Sequence, residues 1–207
     1  MLEVYHAEMM HEALDGRVSP AALEIMIAAN LKQDSIGGLL GHDEYHFDNN
    51  AFDESNRYIR EQRGFVIAGL LGTGVLSTWI AFGRLTHAVQ DFYAHTNYVE
   101  MWLAEKKGMR PSAQEIEPLR RDLIDSPALH SGRIYLPVDA LYFVPFLQKL
   151  ALALAPRDSH ARMNLDSPAQ GPDFEYARAA AVQRTRYEFE LLEKLLTPEM
   201  FARFTDL

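Results

Sequence analysis

Apolar residues recur at helical spacing along most of the chain, and runs that alternate apolar and polar residues are scarce. The pattern predicts an all-α protein, a multi-helix bundle without internal repeats. A first helix is expected over residues 3–14, closed by Asp15-Gly16. A second is expected to begin at Ser19-Pro20, with Ser19 as the cap and Pro20 in the first helical position, and to run to about residue 34.

Two polar stretches separate the later helices. Residues 35–50, SIGGLLGHDEYHFDNN, and residues 156–173, PRDSHARMNLDSPAQGPD, have the Gly, Asp, Asn and Pro content of loops. Helices are predicted over residues 52–62, 66–106 with an interruption near Gly72 and Gly74, 112–123, 138–154 and 174–196, with a loop over 125–137 and a short final turn opened by Thr197-Pro198. Because binding and catalytic residues are often on loops, both polar stretches are candidate parts of a site.

One stretch is long enough to cross a membrane. The twenty residues between Arg63 and Arg84, GFVIAGLLGTGVLSTWIAFG, carry no charge. Five of them are glycines, and the stretch continues directly into a segment with a polar, histidine-bearing face. This favours a buried central helix, and a transmembrane or membrane-inserting helix, with peripheral membrane contact, is the alternative.

Length and charge restrict the class of protein. We expect residues 1–207 to form a single domain, long enough to bury about 70% of the surface of the unfolded chain. Lys and Arg number 20 against 29 Asp and Glu, for a net charge of -9, which argues against binding to long nucleic acid. The first residues lack the basic and apolar regions of a signal peptide, which fits a cytoplasmic form or a secreted form already trimmed.

The chain contains no cysteine. Thiolate nucleophiles, disulfides and Cys-based zinc sites are therefore excluded, and any metal ion must bind nitrogen and oxygen ligands.

The segment FGRLTHAVQDFYAHTNYVEMW, residues 82–102, places His87, Asp91 and His95 at four-residue intervals. On a helix these positions fall within an arc of about 80°, so the three side chains share one face. The intervening positions hold mostly packing residues, which indicates a polar interior beneath that face. A solvated stripe of paired histidines and carboxylates is the alternative.

Other potential ligands lie in separate segments. His6 is in the first predicted helix, His46 is in the first polar stretch, and His160 lies near Asp166 in the second. Imidazole and carboxylate groups are the ligands that bind zinc without cysteine. We expect His11, His42 and His130 to be ordinary surface or hydrogen-bonded histidines.

The stretch THAVQDFYAHTNYVEMW resembles the signature of the Het-C (heterokaryon incompatibility) family, which in turn resembles the zinc-dependent phospholipase C and P1 nuclease superfamily. The segments HAEMMHEAL from His6, HFD from His46 and HARMNLDSP from His160 extend the similarity. The resemblance implies an all-α fold around as many as three Zn²⁺ ions.

Carried over by motif, the resemblance implies three groups of metal ligands. One ion would bind Asp34, His46, His87 and Asp91, a second would lie near His6 with Asp91 bridging, and a third would lie near His95, with His160 and Asp166 as partners. The resemblance also makes Asp34 a candidate catalytic base for an attacking water, with an ordinary helix-end cap as the alternative role.

The function implied is that of a zinc-dependent phosphoric diester hydrolase, phospholipase C-like, acting on a phospholipid or a small phosphoester. Aromatic residues near the motif suit a lipid head group or small ester, with core packing as the alternative: Phe47, Phe92, Tyr93, Tyr98 and Trp102. A P1-like nuclease would need a basic track beside the site, and none is evident in the flanking sequence. A non-catalytic Het-C-like module that binds a membrane or partner and holds a structural metal is the third alternative.

Overall fold

A computed structural model describes residues 1–39, 41–72, 74–142, 144 and 146–207. Within these ranges the chain forms α-helices and short 3-10 helices, and its only β-structure is two isolated bridges. The predicted all-α class is therefore confirmed. The α-helices are α1 (Glu3–Leu14), α2 (Pro20–Leu31), α3 (Ile36–Leu39), α4 (Asp43–His46), α5 (Phe52–Leu71), α6 (Val75–His95), α7 (Tyr98–Ala104), α8 (Arg121–Ile124), α9 (Val138–Tyr142), α10 (Gln148–Leu154), α11 (His160–Met163), α12 (Phe174–Leu195) and α13 (Pro198–Thr205).

Helices with clear end signals are where the sequence predicts them. Helix α1 has the predicted bounds, and α2 begins at Pro20 with the Ser19 hydroxyl accepting a hydrogen bond from the Ala22 amide. After α2, a 3-10 turn over Lys32–Asp34 extends the helical segment to residue 34, where the second helix is predicted to end. Helix α13 begins in the same way, because the Thr197 hydroxyl accepts from the Met200 amide.

The long predicted helix over residues 66–106 is wrong in its bounds. Its first residues belong to α5, which continues to Leu71, and α6 begins only at Val75, so the predicted interruption near Gly72 and Gly74 is confirmed. An unpredicted second break follows α6 at Thr96, which is extended. The Thr96 hydroxyl donates to the Phe92 carbonyl and so satisfies one of the free carbonyls at the helix end.

Three other segments differ from the prediction. The helix expected over residues 112–123 is a 3-10 turn, Ala113–Glu115, followed by the short α8. The helix expected over 138–154 is divided into α9 and α10, with residues 143 and 145 outside the described ranges. The two polar stretches contain the short helices α3, α4 and α11.

Helix α6 lies at the centre of the molecule, in contact with α2, α5 and α12. From Ala81 to His95 its side chains are buried apart from Arg84. Gly83 allows α2 to approach closely, since a Cβ at this position would lie 2.2 Å from the Met26 carbonyl oxygen. The polar face of α6 therefore points into the interior rather than into solvent.

The aromatic residues singled out in the sequence are all buried in the main hydrophobic core: Phe47, Phe92, Tyr93, Tyr98 and Trp102. Core packing, the alternative to a substrate-binding role, is their observed role. The uncharged stretch of residues 64–83 is shared between α5 and α6, and in the described ranges no helix is long and apolar enough to span a membrane.

Candidate metal centre

Helix α6 presents His87, Asp91 and His95 on one buried face, as the four-residue spacing predicts. Asp91 is the middle residue of the three. Its Oδ2 atom lies 3.0 Å from Nε2 of His87, and its Oδ1 atom lies 3.8 Å from Nε2 of His95. One carboxylate therefore reaches the histidines one turn before and one turn after it.

The first cluster consists of Asp34, His46, His87 and Asp91. His46 Nδ1 lies 2.9 Å from Asp91 Oδ2 and 3.1 Å from His87 Nε2. Asp34 Oδ1 lies 3.5 Å from His87 Nε2 and 3.8 Å from His46 Nδ1. Ligands about 2.0–2.1 Å from a tetrahedral zinc ion lie about 3.3 Å from one another, and the spacing of these atoms is similar. The first cluster can hold a metal ion.

The second cluster consists of Asp48, His95 and His160. His160 Nδ1 lies 2.9 Å from Asp48 Oδ1, and His95 Nε2 lies 3.1 Å from Asp166 Oδ1. Asp166 Oδ2 also lies 3.8 Å from His160 Nε2, so this carboxylate borders the second cluster. The second cluster can hold a metal ion on imidazole and carboxylate atoms alone.

His6 reaches the space between the two clusters from α1. Its Nε2 atom lies 3.2 Å from Asp91 Oδ1 and 3.9 Å from Asp34 Oδ2. The main-chain nitrogen of Met1 is also close, 2.6 Å from Asp91 Oδ1 and 3.2 Å from Asp166 Oδ1. All eight predicted ligands therefore converge: His6, Asp34, His46, His87, Asp91, His95, His160 and Asp166.

Three buried polar atoms of the site have no hydrogen-bond partner within the described ranges: His6 Nε2, Asp34 Oδ2 and His46 Nε2. Buried polar atoms without a partner are rare, because each one loses its hydration without compensation. A cation placed among the clusters would satisfy lone pairs of this kind. The donor set and these unpartnered atoms fit a bound metal ion.

The electrostatics of the site favour the protonation states that bind metal ions. Burial would raise the pKa of Asp91, but the Met1 amine and the surrounding imidazoles hold it well below its usual value. Burial also lowers the pKa of His87 to about 4, so this imidazole is neutral at neutral pH. Metal ions require deprotonated carboxylates and neutral imidazoles.

His46 and His160 are exceptions. Burial would lower the pKa of His46, but the carboxylates of Asp91, Asp48 and Asp34 outweigh burial and raise this pKa. The same holds for His160. Burial lowers its pKa, but the carboxylates of Asp48 and Asp166 outweigh burial and raise the pKa to about 9. A metal ion entering the second cluster would therefore displace a proton from His160.

A cavity of about 390 Å³ gives access to both clusters. Its polar wall consists of Asp34, His46, Asp48, His95, His160 and Asp166 together with other acidic groups. Its apolar lining includes Leu2, Leu39, Ile134 and Leu136, and three of these, Leu2, Leu39 and Leu136, are exposed to solvent. A ligand in this cavity would have its polar part at the clusters and its apolar part at the rim.

The main chain around Phe47 explains how two neighbouring residues reach different clusters. Phe47 adopts a left-handed conformation with φ 58°, and its ring packs against Phe92 at a centroid distance of 5.1 Å. His46 and Asp48 on either side of it then point into the first and second cluster. A buried phenylalanine at positive φ is strained, and such strain is common at functional sites.

Asp48 is not among the ligands predicted from the sequence. The signal available was its position two residues after His46 in a stretch rich in polar residues. The histidines expected to be ordinary lie apart from both clusters. His11 pairs with Asp15, His42 pairs with Glu44, and the exposed His130 contacts the carbonyl of Ala128.

Comparison with known proteins gives one family. The family described as the VWA7 N-terminal domain matches residues 2–114, which include α1 to α7 and most of the predicted ligands. No curated protein and no solved structure matches the chain.

Proposed function

This chain belongs to the VWA7 N-terminal domain family, and we propose that it is a zinc-dependent phosphoric diester hydrolase, phospholipase C-like, with as many as three zinc ions. The observation that carries the proposal is the set of buried, unpartnered ligand atoms beside an accessible cavity. The resemblance of residues 86–102 to the Het-C family supports the same function.

Zinc is the metal that the donor set favours. The first and second clusters offer only imidazole nitrogens and carboxylate oxygens, in groups of four and three. Such groups suit zinc, and a group with fewer than four protein ligands leaves a position for a substrate or water. When bound, zinc ions would lower the pKa of a coordinated water to about 7 and would neutralise the charge of a phosphodiester.

The residues of the site would have two roles, binding the ions and accepting a proton. The ions would be held by His6, Asp34, His46, His87, Asp91, His95 and His160, with Asp48 and Asp166 as the carboxylates of the second cluster. Asp34 is the least buried residue of the first cluster, and it faces the cavity. This position supports a role for its carboxylate as the base that would accept a proton from a water entering there.

The cavity favours a phospholipid or small phosphoester over long nucleic acid. Its described lining contains no Lys or Arg, whereas a strand of nucleic acid requires a basic path. The apolar residues at its mouth suit an ester that carries an apolar group.

The test is hydrolysis of a chromogenic phosphocholine ester by the purified chain. We expect turnover with zinc, loss of turnover on chelation, and recovery on adding zinc back. His87→Ala is expected to be inactive, and His130→Ala, which changes an exposed histidine outside both clusters, is expected to retain activity. Activity in the chelated chain, or equal activity in both variants, would refute zinc-dependent catalysis.

Two other functions are outcomes of the same experiment. Cleavage of single-stranded DNA without hydrolysis of the ester would indicate a P1-like nuclease. Tight zinc binding with no hydrolysis of either substrate would indicate a non-catalytic module in which the metal is structural.

A further inference from the structure

A chain of buried amide and hydroxyl groups lies behind the metal centre, on the side away from the cavity. Gln90 Oε1 lies 2.6 Å from Nδ1 of His6, and Asn30 Oδ1 lies 3.3 Å from Nδ1 of His87. Asn30 Nδ2 also donates to Gln90 Oε1 at 3.1 Å, which joins the two contacts. Asn30, Gln90 and both histidines are fully buried.

Two threonines determine the orientation of the side-chain amides of Asn30 and Gln90. The Thr86 hydroxyl donates to the Gly83 carbonyl, and the Thr185 hydroxyl donates to the Ala181 carbonyl. Having donated their hydrogens, both hydroxyls can only accept. The groups facing them must then be amide nitrogens: Asn30 Nδ2 lies 3.1 Å from Thr86, and Gln90 Nε2 lies 3.2 Å from Thr185.

The amide orientation in turn determines the imidazole tautomers. With their nitrogens directed at the threonines, Gln90 and Asn30 present carbonyl oxygens to His6 and His87. A carbonyl oxygen only accepts, so Nδ1 of each histidine must carry the hydrogen. In the neutral rings, Nε2 then carries the lone pair. His6 Nε2 has no hydrogen-bond partner within the described ranges, whereas His87 Nε2 lies 3.1 Å from Nδ1 of His46.

Both lone pairs face the carboxylate at the middle of the site. His6 Nε2 lies 3.2 Å from Asp91 Oδ1, and His87 Nε2 lies 3.0 Å from Asp91 Oδ2. A lone pair directed at a carboxylate oxygen is repelled unless a cation or proton lies between them. The tautomers fixed by the amides are therefore the ones that a metal ion requires.

We propose that Gln90 and Asn30 are positioning residues that commit His6 and His87 to ligating through Nε2, by way of the hydrogen-bond chain that Thr185 and Thr86 orient. The inference rests on the metal centre of the proposed function. Hydrogen bonds of this kind behind a metal ligand fix its ring orientation and raise its basicity, and their loss weakens metal binding.

The first readout needs no metal. In chelated protein labelled with ¹⁵N-histidine, the ring nitrogen shifts of His6 should show the tautomer with hydrogen on Nδ1, the His6 signals being assigned by their loss in His6→Asn. In Gln90→Met, which is similar in size but has no acceptor oxygen, this preference should be lost. Finding hydrogen on Nε2 of His6 in the unmodified chain would overturn the proposal.

The second readout is zinc affinity by competition with a chelator. Gln90→Met should bind zinc about 10–100-fold more weakly than the unmodified chain. Gln90→Glu keeps an acceptor for His6, and the Thr185 hydroxyl can rotate to donate to it, so this variant should retain most of the affinity. Gln62→Met is the matched control, since Gln62 is a buried glutamine on α5 that is not part of the chain of amides.

The outcomes separate this inference from the proposed function. If the unmodified chain binds no zinc, the metal centre fails, while the spectra of chelated protein still test the tautomers. Equal zinc affinity in Gln90→Met and Gln62→Met would refute the role of Gln90 alone. If Gln90→Met does not fold, Gln90→Glu still decides the case, because loss of zinc binding with the acceptor in place would contradict the proposal.

Discussion

His46 Nδ1 lies 3.1 Å from His87 Nε2, although 41 residues separate the two histidines in sequence. His87 is fixed on the central helix, whereas His46 ends a one-turn helix in a polar stretch. The proximity of these two nitrogens, both also within 3.0 Å of Asp91, allows this face of α6 to hold a metal ion.

Removing ligands on α6 should remove metal. We expect His87→Ala and Asp91→Ala each to lower the zinc content by at least one ion per chain and to abolish hydrolysis. Asp91→Ala should be the more severe, because Asp91 also contacts His6 and lies beside His95. Metal analysis after gel filtration measures this. His130→Ala is the control and should keep its zinc, and unchanged zinc in both α6 variants would refute the centre.

Asp48 should affect the second cluster alone. Its Oδ1 atom lies 2.9 Å from His160 Nδ1 and 3.6 Å from His95 Nδ1. Asp48→Asn is therefore expected to lose the ion bound there while the first cluster keeps its own. Asp53→Asn, an exposed carboxylate on α5, is the matched control. Titration of chelated protein with zinc should show one fewer zinc site in Asp48→Asn than in the unmodified chain. An unchanged number of zinc sites would exclude Asp48 as a ligand.

Stability of the chelated protein should depend on His160. Its pKa is raised from 6.5 to about 9 by Asp48 and Asp166 despite burial and the opposing Met1 amine. The protonated imidazole therefore stabilises the fold fully below pH 6.5, and this contribution is lost as the pH rises through 9. Urea unfolding at pH 6.5 and 9.5 should show a smaller decrease in unfolding free energy for His160→Asn than for the unmodified chain. Equal decreases would contradict the assignment.

The approach of α2 to α6 should tolerate no side chain at Gly83. A Cβ there would lie 2.2 Å from the Met26 carbonyl oxygen and 2.9 Å from Ala29 Cβ, so Gly83→Ala must separate the helices. We expect a loss of about 1–3 kcal/mol in the free energy of unfolding, with weaker zinc binding because Asn30 lies on α2 and Asp34 follows it.

Gly64→Ala is the matched control for Gly83→Ala. Gly64 is exposed on α5, where a Cβ would meet none of the described atoms within 4 Å. Gly64→Ala should raise the free energy of unfolding by up to about 1 kcal/mol, because alanine has the higher helix propensity. Thermal unfolding of both variants decides the prediction, and a stable Gly83→Ala with full zinc affinity would contradict it.

The starts of α2 and α13 and the site face of α6 follow from the sequence because their signals are local. Ser19, Pro20 and Thr197 mark helix starts through their own side chains and dihedral angles. The four-residue spacing of His87, Asp91 and His95 depends only on the turn of one helix.

The position of Asp48 depends on contacts between distant loops. Ser131 donates its amide to Asn50 Oδ1 at 2.7 Å, and Ile134 donates its amide to Asn49 Oδ1 at 2.8 Å. These bonds hold the loop after Phe47 against residues 131–134, next to the end of α6. No periodicity in either segment indicates such a pairing. The sequence therefore does not predict that Asp48 contacts His160.

The most direct measurement is the number and location of metal ions in the purified chain, by elemental analysis and by anomalous scattering from crystals grown with zinc. We predict zinc bound to Asp34, His46, His87 and Asp91 and a further ion at Asp48, His95 and His160. A folded chain that takes up no metal, with these side chains bonded only to one another, would contradict the account.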